Sequence, residues 1–214
     1  MQSPAPSQPA KAGFAPPSAT CVAGSGMASP AASAAACLAF LLVALPAAAR
    51  AEDDPNAFTI VSPNAEFELA QASEGGSCKV EVKRGSTLAW AAKRCFGDRN
   101  DGHFLSNDGS TLLVVHSFPS QKAGVKAARG VSTFVRGAPL RSLEIGRFVR
   151  DVKPLVMARA HFYWLEGALG QRGVPPGFSK DGQAVELTTL DRRSWSVGFD
   201  GTLKKIDMPK PLGR

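Results

Sequence analysis

The chain is short of the residues from which most catalytic and metal sites are built. It has three histidines, His103, His116 and His161, and four cysteines among 214 residues. Cys78 and Cys95 stand in no C-x-x-C pair and have no histidine beside them, which excludes the usual zinc-ligand spacings. There is no H-E-x-x-H. Gly75-Gly76-Ser77-Cys78-Lys79 misses the nucleophile elbow, because Lys79 stands where the second glycine belongs. Gly97 to Gly102 has the glycine spacing of a phosphate loop, but His103 replaces its lysine. The net charge is +7, yet the cations are scattered, as in Lys79, Lys83, Arg141, Arg150, Arg192 and Lys204, with no basic run of five or more. That excludes the basic stripe of a nucleic-acid binder. These absences leave no catalytic residue, no cofactor-binding residue and no metal ligand to assign, and no cofactor is expected.

Acidic residues are also missing from the first fifty-one positions, where only Lys11 and Arg50 carry side-chain charge. Residues 1–26 are rich in Pro, Ala and Ser, a composition that cannot bury a core, and read as a disordered leader. Met27 offers a second start, and we read residues 1–26 as lying upstream of the true one. From Ala31 to Ala49 the chain is almost wholly apolar, centred on Leu38, Phe40, Leu41, Leu42, Val43 and Leu45. Pro46 breaks the helix. Ala49-Arg50-Ala51 places small residues at the two positions a signal peptidase reads, and Glu52-Asp53-Asp54 opens a polar chain. Residues 27–51 thus read as a signal peptide cleaved after Ala51. The alternative is an uncleaved anchor, since the run is about 20 residues, long enough to span a bilayer. A lipoprotein is a poorer fit, because the apolar stretch follows Cys37 instead of preceding it. The Ala, Arg, Gly and Pro bias is that of a GC-rich bacterial genome.

Cleavage removes Cys21 and Cys37 and leaves Cys78 and Cys95. An even pair in an oxidising compartment predicts a disulfide between them. Residues 52–206 suffice for one secreted domain, with a flexible tail at 207–214 that contains Pro209 and Pro211.

What the mature chain has in abundance is alternation. Phe58-Thr59-Ile60-Val61, Glu66-Phe67-Glu68-Leu69, Lys79-Val80-Glu81-Val82-Lys83, Val185 to Thr189 and Trp195 to Phe199 each place apolar residues two apart. Such segments predict strands with one face on a core. Asn107-Asp108-Gly109, Lys180-Asp181-Gly182 and Asp200-Gly201 supply turns between them. Leu112 to Val115 is continuously apolar and predicts a strand buried on both faces. His161 to Leu165 is too aromatic for a surface loop. Lys122 to Arg129 suits an exposed loop or strand edge, and a short helix is placed near Gly146 to Asp151. The fold class expected is mainly β: an antiparallel meander, an open β-sandwich or a partial propeller-like sheet, with at most one short helix.

The hairpin from Cys78 to Cys95 admits two registers. One sets the cysteines opposite each other and pairs Val80 with Lys93. The other, shifted by one, pairs Val82 with Trp90 and Val80 with Ala92. A bulge reconciles the two demands. Both registers stay open at this point.

Phe104-Leu105-Ser106-Asn107-Asp108-Gly109-Ser110-Thr111-Leu112-Leu113-Val114 resembles the strand–turn–strand phrase of bacterial propeller repeats, in which a serine, a turn residue and Asp-Gly precede an apolar strand. Phe178-Ser179-Lys180-Asp181-Gly182-Gln183-Ala184-Val185 is similar. Asn107 and Lys180 replace the usual proline, and the two Asp-Gly turns lie 73 positions apart, which is no single blade period. The chain also resembles secreted bacterial β-rich proteins that use such phrases outside closed propellers. The resemblance implies binding or scaffolding.

Two clusters remain for chemistry. Asp98-Arg99-Asn100-Asp101-Gly102 reads as an Asx-rich turn, with weak Ca²⁺ binding as the alternative. His103, His116 and Asp101 could share a metal, although scattered histidines more often satisfy local hydrogen bonds. Tyr163, Trp164, Trp90 and Trp195 are core residues first and a ligand patch second. The function expected is a secreted or periplasmic non-enzymatic β domain that binds an unknown protein or envelope partner. It is expected to be monomeric, with no nucleic acid and no membrane association after cleavage. The alternative is an extracytoplasmic hydrolase-like enzyme using Asp98, Asp101, His103 and His116, which requires those four side chains to converge in a cleft.

Overall fold

The computed structural model describes residues 54–207. The leader, the signal segment with its cleavage residues Ala49 and Ala51, and all but Asp207 of the expected tail lie outside them. Alternation translates directly into strands. β1 (Phe58–Val61), β2 (Phe67–Glu74), β3 (Ser77–Arg84) and β4 (Thr87–Lys93) form the first sheet. β5 (Gly102–Leu105), β6 (Thr111–Val115), β7 (Arg129–Val135) and β8 (Ala138–Glu144) form the second. A two-stranded hairpin follows, β9 (Val156–Met157) and β10 (Phe162–Tyr163). β11 (Gly177–Phe178), β12 (Ala184–Thr188), β13 (Ser194–Gly198) and β14 (Leu203–Ile206) make the last sheet. Every pairing is antiparallel and sequential, so the fold is mainly β, built of meanders, and no sheet closes into a barrel. There is no α-helix among the described residues. The helix expected near Gly146 is a 3₁₀ turn at Ile145–Arg147, and a second 3₁₀ turn occupies Gln121–Ala123.

The middle sheet is covered on both faces. Leu112, Val114 and Phe134 pack with Leu69, Val80, Val82 and Trp90 of the first sheet. Leu113, Val115 and Val131 face the opposite way, into a larger core with Phe148, Phe162, Trp164, Val185 and Trp195. This is why β6 is buried at all five positions, whereas β3 alternates with Cys78, Val80 and Val82 inside. Each such Val or Leu contributes about 1.5–3 kcal/mol by leaving water. The three tryptophans anchor these cores and are satisfied as donors: Trp90 to the Gly109 carbonyl, Trp164 to that of His116 and Trp195 to that of Phe148.

The Cys78 to Cys95 hairpin takes the shifted register, with Val82 facing Trp90 and Val80 facing Ala92. Burial of those pairs on one face outweighs direct opposition of the cysteines. A bulge does occur, but at Ala89 beside the turn, where the register shifts between Val82 and Lys83. Cys95 lies beyond the end of β4, and the disulfide to Cys78 forms with 4.8 Å between Cα atoms.

The serine–aspartate phrase proves to be a conserved piece of geometry within the chain. In the β5–β6 turn, the Ser106 hydroxyl donates to Asp108 and accepts from the Thr111 amide, and Asp108 accepts from the Ser110 amide. In the β11–β12 turn, Ser179, Asp181, Gln183 and Ala184 make the same bonds. The β1–β2 turn repeats them a third time, with Ser62, Asn64, Glu66 and Phe67. Asn64 also ties the first turn to the second, donating to the side chain and carbonyl of Asn107. Gly109 is required twice over in its turn: its φ is 66°, and a Cβ there would enter the Phe67 ring.

Candidate functional site

The crossover from the first sheet to the second builds a polar concavity. It is anchored from below by Gln71, a buried side chain on β2. Its amide donates to the carbonyls of Asn56 and Gly97, and its oxygen accepts from the Phe96 amide. The chain then turns through Asp98, whose carboxylate accepts from the Asn100 amide, and delivers Asp101 to the start of β5. Gly97 has a φ of 93° and faces the Asp101 carboxylate so closely that a Cβ would collide with it.

Asp101 bonds to His116 at the end of β6, Oδ2 to Nδ1 at 3.2 Å, and its Oδ1 accepts from the Ser117 amide. The other ring nitrogen of His116 lies 3.0 Å from the Ser132 hydroxyl on β7. With Nδ1 donating to the carboxylate, neutral His116 accepts from Ser132 through Nε2. The order carboxylate, imidazole, hydroxyl is that of a hydrolytic triad. Its setting is different. Ser132 is 3% exposed and sits mid-strand in the sheet covered on both faces. The His116 amide donates to the Gly130 carbonyl, and its own carbonyl accepts from Trp164. Every polar atom of His116 is therefore committed within the protein.

His103 lies on the far side of Asp101. Its ring stacks on Phe58 at 3.9 Å between centroids, and its Nε2 donates to the Phe96 carbonyl at 2.8 Å. Burial pushes its pKa below the ordinary histidine value of 6.5, against the opposing pull of the Phe96 carbonyl and Asp101. It is a neutral packing residue.

The cleft itself, of about 800 Å³, opens over Asp98, Asp101 and His116 and is faced by Phe118, Arg129, Glu144 and His161. Phe118 stacks on His161 at 4.8 Å and meets Tyr163 at 4.5 Å. Gln121 holds the 3₁₀ segment against the β9–β10 hairpin through the carbonyls of Ala158 and His161. The structure thus brings three of the four expected side chains, Asp98, Asp101 and His116, to one cleft and turns His103 away. Among the described residues no three His, Cys, Asp or Glu side chains gather as a metal-binding group. Of the four aromatic residues considered for a ligand patch, Trp90, Trp164 and Trp195 are core, and Tyr163 is half-buried beside Phe118. Ser132 had no sequence signal of its own. Val114 pairs with Ser132 across β6 and β7, which makes His116 its diagonal neighbour. The long loop between those strands hides that register.

No known protein family and no curated protein matches the chain. Among solved structures, the chain is similar to the beta-propeller domain of Cps50 (Swd1) from Myceliophteria thermophila, at 15% identity and a TM-score of 0.31, over 75% of this chain and 47% of that one.

Proposed function

We propose that the mature chain is an extracytoplasmic, non-enzymatic β domain that binds a protein or envelope partner, with the cleft over Asp98, Asp101 and His116 as its recognition face. The observation that carries this reading is the closure of the Asp101–His116–Ser132 network. A nucleophile needs an approach path and a base free to move a proton toward substrate. Ser132 is 3% exposed, and His116 is held at every polar atom. The network braces β6 and β7 against the crossover loop. The cleft above it offers what a binding site needs: charge of both signs from Asp98, Lys122, Arg129 and Glu144, beside the half-buried Phe118. Export follows from the apolar segment and the Ala49-Arg50-Ala51 site, and the Cys78–Cys95 disulfide fits an oxidising compartment. No helix among the described residues is long and apolar enough to cross a membrane.

A second reading keeps the triad order as chemistry and makes the protein a serine hydrolase. One experiment separates them. The exported protein, whose intact mass should place its first residue at Glu52, is treated with a fluorophosphonate probe and assayed on p-nitrophenyl acetate. The binding reading expects no adduct at Ser132 and no turnover above buffer, with Ser132→Ala lowering the melting temperature. A stoichiometric adduct on Ser132, abolished in His116→Ala, would establish the hydrolase.

A further inference from the structure

A second concavity, on the opposite end of the last sheet from its serine–aspartate turn, carries charge of one dominant sign. It lies between residues 150–154, the β12–β13 turn and β14, and has a volume of about 630 Å³. Arg150, Arg192, Arg193 and Lys205 line it together with Asp151 and Asp191. The lining therefore holds two more cations than carboxylates. The carboxylates are occupied within the backbone. Asp191 accepts from the amides of Arg150 and Asp151 and from the Thr189 hydroxyl, and Asp151 accepts from the Lys153 amide. The Arg193 guanidinium is braced on the floor, over the Trp195 ring at 4.9 Å and against the Phe148 carbonyl at 3.4 Å. The side chains of Arg150, Arg192 and Lys205 make no hydrogen bond or ion pair with any described residue.

Arg192 is the informative position. Its φ is 61°, in the left-handed region that favours glycine. The corresponding positions of the β5–β6, β11–β12 and β13–β14 turns are Gly109, Gly182 and Gly201. In this turn alone among those four, a long cationic side chain occupies the strained position, and it lines a cleft shared with Arg150, Arg193 and Lys205. The β1–β2 turn also holds a non-glycine residue there, Ala65 at a φ of 56°, but of these five turns only the one at Arg192 carries a cation from that position into a cleft.

We infer that this cleft binds a dianionic phosphate group, presented on a soluble phosphate ester or on a phospholipid headgroup. The surplus of two cations matches a phosphate monoester, whereas a phosphodiester carries one charge. Guanidinium forks bind tetrahedral oxyanions through paired N–H donors. The site is separate from the Asp98–His116 cleft, and its fate does not depend on that reading.

The test uses the disulfide-bonded mature protein. Glycerol 3-phosphate is titrated calorimetrically, and cosedimentation is measured with phosphatidylcholine vesicles with and without phosphatidic acid. Saturable binding is expected, weakened about tenfold or more by Arg192→Gly, the loss of one charge-assisted contact, and likewise by Lys205→Glu. Arg192→Gly relaxes the turn, so its melting temperature should hold or rise, which separates lost binding from lost folding. Soluble-ester binding alone supports a free ester as ligand. Vesicle binding that glycerol 3-phosphate displaces supports a headgroup. The inference is overturned if neither probe binds saturably, if Arg192→Gly and Lys205→Glu bind as the parent does, or if vesicle binding ignores the soluble competitor.

Discussion

His103 shows how a residue with catalytic potential becomes structural. Its ring is stacked on Phe58 and its Nε2–H is spent on the Phe96 carbonyl, so protonation would place a charge in a buried site already next to His116. Burial is the largest cause of its depressed pKa, with His116 adding to it. In the unfolded chain the same ring takes a proton near 6.5. Between that value and the lower folded one, the unfolded state binds more protons, so stability is fully present above about pH 6.5 and falls as pH drops below it. Urea midpoints should therefore fall from about pH 7 to about pH 5. His103→Gln keeps a donor for the Phe96 carbonyl but cannot titrate, and should flatten that decline. An unchanged slope in the variant would show that His103 does not carry the pH dependence.

At the scale of elements, the serine–aspartate turn is the unit that organises three sheets. One serine hydroxyl closes it by donating to the aspartate or asparagine and accepting the amide that starts the next strand. Asp181 shows the electrostatic side: hydrogen bonds from the Ser179 hydroxyl and the Gln183 amide hold its pKa below the ordinary carboxylate value. Removing the serine leaves an amide unpaired, and the cost depends on whether water can replace it. Ser106 is buried and Ser179 is half-exposed. Ser106→Ala should cost about 1–3 kcal/mol and Ser179→Ala clearly less, read as the difference in urea unfolding free energy. Equal costs would mean that the hydroxyl's burial is irrelevant. Two copies of this turn are legible in the sequence because Asp-Gly marks them. The third is not, because Asn64 and Ala65 stand in those places, although Pro63 restores the proline that the other two lack. The long interval between the marked copies holds β6 to β11, and residues 145–176 of it contribute only two 2-residue strands, β9 and β10. Alternation likewise fixes β3, β12 and β13, but it is silent on β7, whose five central residues are all buried and which therefore loses the period that a half-exposed strand displays. Ser132 disappears with it.

For the whole molecule, the decisive feature is that one sheet serves two cores. Trp90 reports on the core shared by the first and second sheets, and Trp164 and Trp195 on the core shared by the second sheet, the short hairpin and the last sheet. The Cys78–Cys95 disulfide sits where the chain leaves the first sheet for the second. Just after it, Phe96 packs on Phe134 of β7 at 4.7 Å, and the Arg94 guanidinium covers both rings. The staple thus holds the first sheet to the joint by which it is coupled to the rest. Its loop spans 17 positions, so opening it should lower stability by about 3 kcal/mol through the entropy returned to the unfolded chain. That loss should not fall evenly. In the oxidised protein the shared sheet should make both cores unfold together, with variants retaining only Trp90 or only Trp164 giving coincident urea curves. In Cys78→Ser/Cys95→Ser, the first sheet loses its tether at the crossover while the larger core keeps all its contacts. The Trp90 curve should then move to lower urea ahead of the Trp164 curve. A joint shift of both curves would show instead that burial of Leu112, Val114 and Phe134 couples the two cores without help from the disulfide.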